Sequence, residues 1–323
     1  MAIWKIDELG EFVTLKRGYD LPQQKRKNGE IPIFSSSGVT GTHNEAMVEA
    51  PGVITGRYGT IGEVFFAETS FWPLNTTLYV ENFHENDEKF VYYFLKTLEW
   101  KKFASASAVP GINRNTVHKE IVRFPDFETQ QKIASVLSTI DKKIAVNKAI
   151  NDNLEQQAAA LFSSLYNRSN TEVRYTDLIQ ILGGGTPKTG ETAYWNGNIA
   201  FFTPKDVGTP YTFITEKTIT EEGLSHCNSR LYPVNTVFVT ARGTVGKVGL
   251  SGIPMAMNQS CYALVGKETH QLLVYFYTLK AVDRLKHKAS GAVFDAITTR
   301  DFDSEQIMKL SDDDAKAFLC VAE

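Results

Sequence analysis

The sequence predicts an α+β protein: two tandem β-rich domains joined by a long helix of coiled-coil type, with the matching C-terminal helix cut short. Three observations carry this reading. The string Thr55-Gly-Arg-Tyr-Gly-Thr-Ile-Gly-Glu-Val64 returns as Thr240-Ala-Arg-Gly-Thr-Val-Gly-Lys-Val248, and repetition at that spacing marks a duplicated structural unit. From Asp126 to Tyr166 there is neither glycine nor proline, and Ile133, Leu137, Ile140, Ile144, Asn147, Asn151, Leu154, Ala158, Leu161 and Leu165 alternate steps of four and three. That spacing is a heptad seam. Aligning Phe124-Pro125 with Leu310-Ser311 leaves the second half only a short segment before Glu323.

The elements follow in order, giving a first domain over 1–125, a spacer helix over 126–167, a second domain over 168–310 and a helical segment over 311–323. The opening Trp4–Gly10 and the stretch Tyr175–Leu178 start equivalent elements, with Leu9-Gly10 answered by Leu178 and a Gly-rich turn. Runs rich in β-branched and aromatic residues between turn formers predict strands at 52–55, 63–66, 236–240 and 260–265. Asn75-Thr-Thr-Leu-Tyr79 is answered by Asn258-Gln-Ser-Cys-Tyr262. Apolar residues at helical spacing predict helices over 88–103 and 271–287. Asp126 is placed to cap the long helix, since its carboxylate can accept the free amide hydrogens of the first turn. A helix of this length forms a rod on the order of 60 Å, which must pack against something. Asn147 and Asn151 either fix register within the seam or face solvent where it drifts. Asn167–Glu172 reads as a polar linker leaving the rod.

Composition narrows the function classes. The chain has 323 residues, 42% of them hydrophobic and 22% charged, which suits two globular domains, and no apolar run is long enough to span a bilayer. No basic stretch followed by an apolar core opens the chain, so a cytoplasmic protein is expected. Its three cysteines are confined to the second half, a pattern of neither a disulfide framework nor a zinc site. A net charge of −3 argues against wholesale phosphate neutralisation, although Lys16, Arg17, Lys25, Arg26 and Lys27 concentrate positive charge locally.

Motifs for catalysis are missing from the string. Gly246-Lys247 is followed by Val248 and lacks the earlier glycine of a phosphate loop, and Gly183-Gly184-Gly185 leads to Thr186-Pro187 without a dinucleotide pattern. The six histidines show no metal-ligand spacing, and no Gly-x-Ser-x-Gly elbow occurs. Asp126 and Glu128 have the look of a nuclease carboxylate pair, but Gln130 stands where its lysine belongs, and capping accounts for them. A methyltransferase would need a Gly-rich cofactor loop and an Asn/Asp-Pro-Pro-aromatic string, and neither is present. No cofactor and no metal are expected. The glycines of the repeated string are read as turn formers, while Arg57 and Arg242 at its head are open to two readings: surface ion pairs, or contacts to a phosphate or guanine edge.

Taken together, Trp4–Leu9, Gly183–Pro187, Ile31-Pro-Ile-Phe-Ser35, the Arg57 and Arg242 turns, the Asn75 and Asn258 strands, and Phe124–Gln130 leading to Ile133 resemble the specificity subunits of type I restriction-modification systems. The resemblance spans nearly the whole chain. It implies two target recognition domains, each reading half of a split double-stranded DNA sequence, with the helices as spacer ruler. It also implies docking of methyltransferase subunits on the helical regions and, through them, of the restriction subunit, so that adenine methylation and cleavage are done by partners. Recognition loops in this family vary with target, so contact candidates are the loop cations and polar residues Lys16, Arg17, Arg57, Tyr58, Asn75, Arg114, Lys188, Lys205, Arg242, Asn258 and Arg300. Solvated loop polarity is the alternative for each. Members of the family pair two long helices antiparallel, whereas here the seam of Ile133, Leu137, Ile140, Ile144, Asn147, Asn151, Leu154, Leu161 and Leu165 lacks a full partner within the chain. Self-association or docking on a methyltransferase subunit is the expectation. The rivals are a protein-interaction scaffold without DNA binding, favoured by a pI near 6.1, and an inactive truncated recognition fragment.

Overall fold

The computed structural model describes residues 4–105, 110–208, 210–288 and 296–322. Two compact units result, Met1–Ala149 and Ile150–Glu323. In the first, strand β1 (Trp4–Glu8) leads through the one-turn helix α1 (Leu9–Phe12) into β2 (Thr14–Arg17). Strands β3 (Ile31–Ser35), β4 (Gly38–His43), β5 (Gly52–Gly56), β6 (Val64–Ala67), β7 (Trp72–Pro73) and β8 (Thr77–Asn82) follow, then helix α2 (Glu88–Lys96), α3 (Arg114–His118), β9 (Ile121–Pro125) and the long helix α4 (Phe127–Arg168). A four-stranded sheet has the order β2-β8-β5-β6, a three-stranded sheet the order β4-β3-β7, and β1 pairs with β9. Strand β5 is central and wholly buried, which is why it reads as an apolar run without alternation. Helix α2 starts at Asp87, whose carboxylate accepts from the Phe90 N–H at 2.7 Å, and packs Phe90, Val91 and Leu95 into the core.

The second unit follows the same plan with one strand more: β10 (Thr171–Arg174), α5 (Tyr175–Leu178), β11 (Ile179–Gly183), β12 (Trp195–Phe202), β13 (Tyr211–Thr212), β14 (Lys217–Ile219) and α6 (Glu221–Ser225). Then come β15 (Val237–Thr240), β16 (Val248–Ser251), β17 (Met255–Met257), β18 (Cys261–Gly266), α7 (Gln271–Lys288), α8 (Thr299–Asp303), β19 (Gln306–Lys309) and α9 (Asp312–Ala322). Its sheets run β11-β18-β15-β16-β13, β14-β12-β17 and β10-β19. The inserted β13 lies parallel to β16 at the sheet edge.

Backbone hydrogen bonds fix the register of the duplication and correct the sequence alignment in three places. Leu9 corresponds to Tyr175, not to the neighbourhood of Leu178: each opens its one-turn helix with its N–H on the equivalent carbonyl, Glu120 at 2.8 Å and Glu305 at 2.9 Å. Asn258 corresponds to Leu74, not Asn75. Both donate to the end of the adjacent strand, Leu74 to Phe34 at 2.8 Å and Asn258 to Phe202 at 3.0 Å, and the turns that follow are equal in length, Thr77 N–H returning to the Leu74 carbonyl at 2.9 Å and Cys261 N–H to that of Asn258 at 3.3 Å. Ser311 corresponds to Asp126 and not to Pro125, since both cap a helix: Thr129 N–H donates to Asp126 Oδ1 at 3.0 Å and Asp314 N–H to Ser311 Oγ at 3.1 Å.

Helix α4 begins after its expected cap, and Gln130 secures its first turn from within the protein. The buried Gln130 side chain accepts from the Asp87 N–H at 2.9 Å and donates to Asn86 Oδ1 at 2.7 Å and the Pro125 carbonyl at 2.9 Å. The seam is then divided. Ile133 packs on the first core, Leu137 is half-buried, and Leu161 and Leu165 join Phe162 and Tyr166 in the second core with Phe318 of α9. Those ends are taken up by their own units rather than left for a helical partner, because the stripe coincides there with each domain's apolar face. Ile140, Ile144, Asn147, Asn151 and Leu154 lie exposed, the isoleucines at 49% and 60% and Leu154 at 57%. The proposed polar linker is shorter than expected: α4 runs to Arg168, and Thr171 and Glu172 already pair with Lys309 and Met308 in β10-β19. Among the described residues, no helix is long and apolar enough to cross a membrane.

Candidate nucleic-acid interface

The repeated string forms the connection between β5 and β6 and again between β15 and β16. Thr55 faces Leu78 across the sheet and Thr240 faces Cys261. Both connections open with two successive N–H groups on one carbonyl. Arg57 and Tyr58 donate to Thr76 at 2.9 and 3.2 Å, and Ala241 and Arg242 to Ser260 at 2.8 and 3.3 Å, so the two arginines are not equivalent as the strings suggest: Ala241 stands at the place of Arg57 and Arg242 at that of Tyr58. Both then turn on left-handed glycines three residues apart, Gly59 and Gly62 at φ 76° and 90°, Gly243 and Gly246 at φ 82° and 76°. A side chain at such φ is strained, and at Gly62 it would also meet the Trp100 side chain at 2.9 Å. The turn reading of these glycines therefore has a conformational cause.

In the first unit the turn forms one wall of a cleft of about 510 Å³ that gathers Arg17, Arg57, Tyr58 and Arg114. Arg17 ends β2. Arg114 opens α3 behind its cap Asn113, whose side chain accepts from the Asn115 N–H at 3.0 Å. Arg57 Nε donates to the Ile112 carbonyl at 3.3 Å while its guanidinium lies 4.4 Å from the centre of the Tyr58 ring. The two contacts hold the side chain in place. His118, at the other end of α3, accepts from the Leu15 N–H at 2.9 Å. Its pKa is lowered from 6.5 by burial and then by the positive charge of Arg114 and of His84.

The remaining candidates are more scattered. Lys16 lies 2.5 Å from the Glu81 carboxylate, which raises its pKa, and Arg17 is 3.8 Å from Asp20, the acid that also accepts from the Asn75 amide. Lys205 pairs with Glu216 at 3.6 Å. Lys188 is an exposed loop residue whose carbonyl accepts from Trp195 Nε1 at 3.2 Å. Asn258 spends its side-chain oxygen on the Ser260 N–H at 3.0 Å, closing its own turn. Arg242 is exposed, and its guanidinium makes no hydrogen bond or ion pair with the described residues. Arg300 does not reproduce Arg114. Thr298 corresponds to Asn113 as the helix cap, so Thr299 takes the place of Arg114, and Arg300, one residue on, lines a separate groove with Thr176, Gln180, Lys267 and Asp303.

Sequence reasoning missed Lys247 and Lys286 beside the second turn. Lys286 Nζ lies 3.2 Å from where a Cβ on Gly246 would stand, and Lys247 occupies the place of Glu63 within the repeated string. The second signal was visible in the repeat itself; the first required α7 to be folded over the turn. Among the described residues, no three His, Cys, Asp or Glu side chains are grouped to hold a metal. Burial pushes the Cys261 thiol up to about 12, which leaves it protonated and inert.

Comparison with known proteins gives one family. The model of the type I restriction modification DNA specificity domain matches residues 1–156 and again 167–309. The chain is 32% identical over 124 residues to the specificity subunit of the type I restriction enzyme MjaIX of Methanocaldococcus jannaschii, covering 36% of this chain and 29% of that protein. It is 29% identical over 204 residues to the EcoR124I/EcoR124II specificity subunit of Escherichia coli, covering 58% and 50%. The chain thus spans half or less of the length of these two relatives. The crystal structure of a type I restriction-modification system S subunit from M. genitalium has the same fold, with a TM-score of 0.67 at 16% identity over 99% of this chain and 88% of that one. With its two halves matched in turn, the chain belongs to the type I restriction modification DNA specificity family.

Proposed function

We propose that this chain is a non-catalytic specificity subunit that binds double-stranded DNA, reads a two-part target with its two β-rich units, and directs an adenine methyltransferase and restriction complex to it. The observation that carries this reading is the duplication: the same strand plan, with the same glycine-turned connection, occurs twice in the chain, and each connection carries an arginine, although at neighbouring and not equivalent positions. We further propose the division made from the sequence, with recognition domains at 1–125 and 168–310, the helix over 126–167 as spacer, and a short helical segment over 311–323. Arg17, Arg57, Tyr58 and Arg114 form the first contact surface and Arg242 the second, with Lys16, Asn75, Lys188, Lys205, Asn258 and Arg300 at their margins. The exposed stretch Ile140–Leu154 of α4 is the surface for a methyltransferase subunit or a second copy of this chain, because a row of apolar side chains in water favours a partner.

The test is to co-express the chain with its methyltransferase subunit and map N6-methyladenine in the host genome. A split asymmetric motif is expected. A palindromic motif would indicate paired copies using one reader each, and no methylation together with no DNA binding would sink the reading. The acidic balance of the chain, with a pI near 6.1, favours the alternative of a protein-interaction scaffold. Salt-dependent retention on duplex DNA separates the two, since only phosphate neutralisation releases counterions.

A further inference from the structure

We infer that the loop cations Lys25, Arg26 and Lys27 form a second contact surface on the first unit, a sequence-independent anchor for the phosphodiester backbone of duplex DNA beside the cleft of Arg17, Arg57 and Arg114. The inference rests on the DNA-binding reading above and adds to it a surface outside that cleft. The loop between β11 and β12 of the second unit holds a single cation, Lys188, so the anchor belongs to the first unit.

Three observations favour this. First, the charge is not spent within the protein. Lys16, Arg17, Lys89 and Lys102 of the same unit each meet a carboxylate, Glu81 at 2.5 Å, Asp20 at 3.8 Å, Glu68 at 3.4 Å and Glu120 at 2.5 Å. Among the described residues Lys25 and Arg26 meet none, and Lys27 reaches Glu45 only at 4.0 Å, with both side chains largely in water. Three adjacent cations left in this state attract a polyanion. Second, Arg26 is seated without being saturated. Its Nη1 donates to the Thr40 carbonyl at 3.5 Å, beside Gly41 at φ 137°, while its Nε is buried with no acceptor. The guanidinium thus lies along β4, an edge strand of its sheet, with donors to spare. Third, the patch adjoins the cleft. Ser36, in the turn between β3 and β4, lies against the β5–β6 turn, its Oγ 3.3 Å from where a Cβ on Gly59 would stand. From that end β4 runs from Gly38 to Gly41 at about 3.3 Å per residue, on the order of 10 Å. The major groove is about 12 Å wide, so a duplex resting on the cleft brings further phosphates over the loop. Lys25 and Lys27 are exposed, and no hydrogen bond with the described residues fixes their ammonium groups. They offer charge and not a fixed pattern of donors, which suits phosphates and not base edges.

The experiment measures binding of the full chain to a duplex carrying the mapped methylation motif and to an unrelated duplex across a salt series, with Lys25→Ala, Lys27→Ala, the two combined, and Lys25→Arg. Each single alanine variant is expected to lower the steepness of log K against log salt by about one and to weaken both duplexes alike, by roughly five-fold at 0.15 M salt. The combined variant loses about two from the slope, and Lys25→Arg keeps it. The methylation motif of the co-expressed complex stays unchanged in all four. An unchanged salt slope in the combined variant, or a motif that becomes degenerate at one base, overturns the inference while leaving DNA binding intact. An unchanged slope together with lost co-purification of the methyltransferase subunit also overturns it, and assigns the patch to an acidic protein surface. Failure of the DNA-binding reading looks different, because the unaltered chain then shows no salt-dependent retention at all. Arg26 has a seat in the fold, so the question is put to the two exposed lysines, whose loss leaves the packing of the unit untouched.

Discussion

Replacing Gln130 with alanine tests whether the start of α4 is held from inside. The side chain is buried and makes three hydrogen bonds, to the Asp87 N–H, Asn86 Oδ1 and the Pro125 carbonyl. Each contributes about 0.5–1.5 kcal/mol net, and a buried amide hydrogen left without a partner costs about 1–3 kcal/mol. Allowing for partial access of water, the loss should be about 2–4 kcal/mol. For a unit of this size that lowers the melting temperature by on the order of 10 °C. Calorimetry of the full chain should show the transition of the amino-terminal unit moving while that of the other stays. Hydrogen exchange should show the Asp87 amide losing protection, because its acceptor is gone. A loss below about 0.5 kcal/mol, or unchanged protection at Asp87, would refute the reasoning. Gln130→Lys completes the carboxylate-lysine spacing of a nuclease, and we expect it to destabilise the unit without producing metal-dependent DNA cleavage, since the position faces the core.

Other expectations follow from the same structure. Gly62→Ala should destabilise the chain by about 1–3 kcal/mol, and more than Gly243→Ala. Both positions have positive φ, but only the first adds a clash with Trp100, while nothing lies within 4 Å of the second; equal melting points would contradict this. His118 is held neutral by burial and by Arg114, so the unfolded chain takes up its proton first as the pH falls below 6.5. Its stabilising contribution is therefore present above that value and lost as pH drops through the lower folded value. The stability gap between the natural chain and His118→Gln should narrow from pH 7.5 to pH 5, and a constant gap in urea titrations would be inconsistent with that. Ile140→Lys with Ile144→Lys should change the melting temperature little, because both side chains are already in water, yet abolish co-purification with the methyltransferase subunit or self-association. Undiminished assembly would remove the α4 surface from consideration.

Features written in local chemistry were legible in the string. The long helix declared itself by period and by the absence of helix breakers, its start by Asp126, and the two turns by Gly59, Gly62, Gly243 and Gly246, whose left-handed backbone suits glycine above other residues. Strands β5, β6, β15 and β18 were placed to within a residue or two. The register of the duplication was less legible. Matching threonines, arginines and asparagines one residue out of step draw an alignment away from the true register at little apparent cost, and the hydrogen bonds of Leu9 and Tyr175, or of Leu74 and Asn258, are needed to pin it.

Membership of two equivalent α+β units, the long helix and the paired glycine turns were thus decided by the sequence alone, since periodicity, capping and positive-φ glycines act over a few residues. The tertiary structure alone decided that Arg17, Arg57, Tyr58 and Arg114 share a cleft while Arg300 faces another groove. It also decided that Gln130 is a buried anchor, and that Leu161 and Leu165 belong to a domain core while Ile140, Ile144 and Leu154 remain in water. A heptad stripe records which residues share a helix face, and only packing across distant segments determines what that face meets.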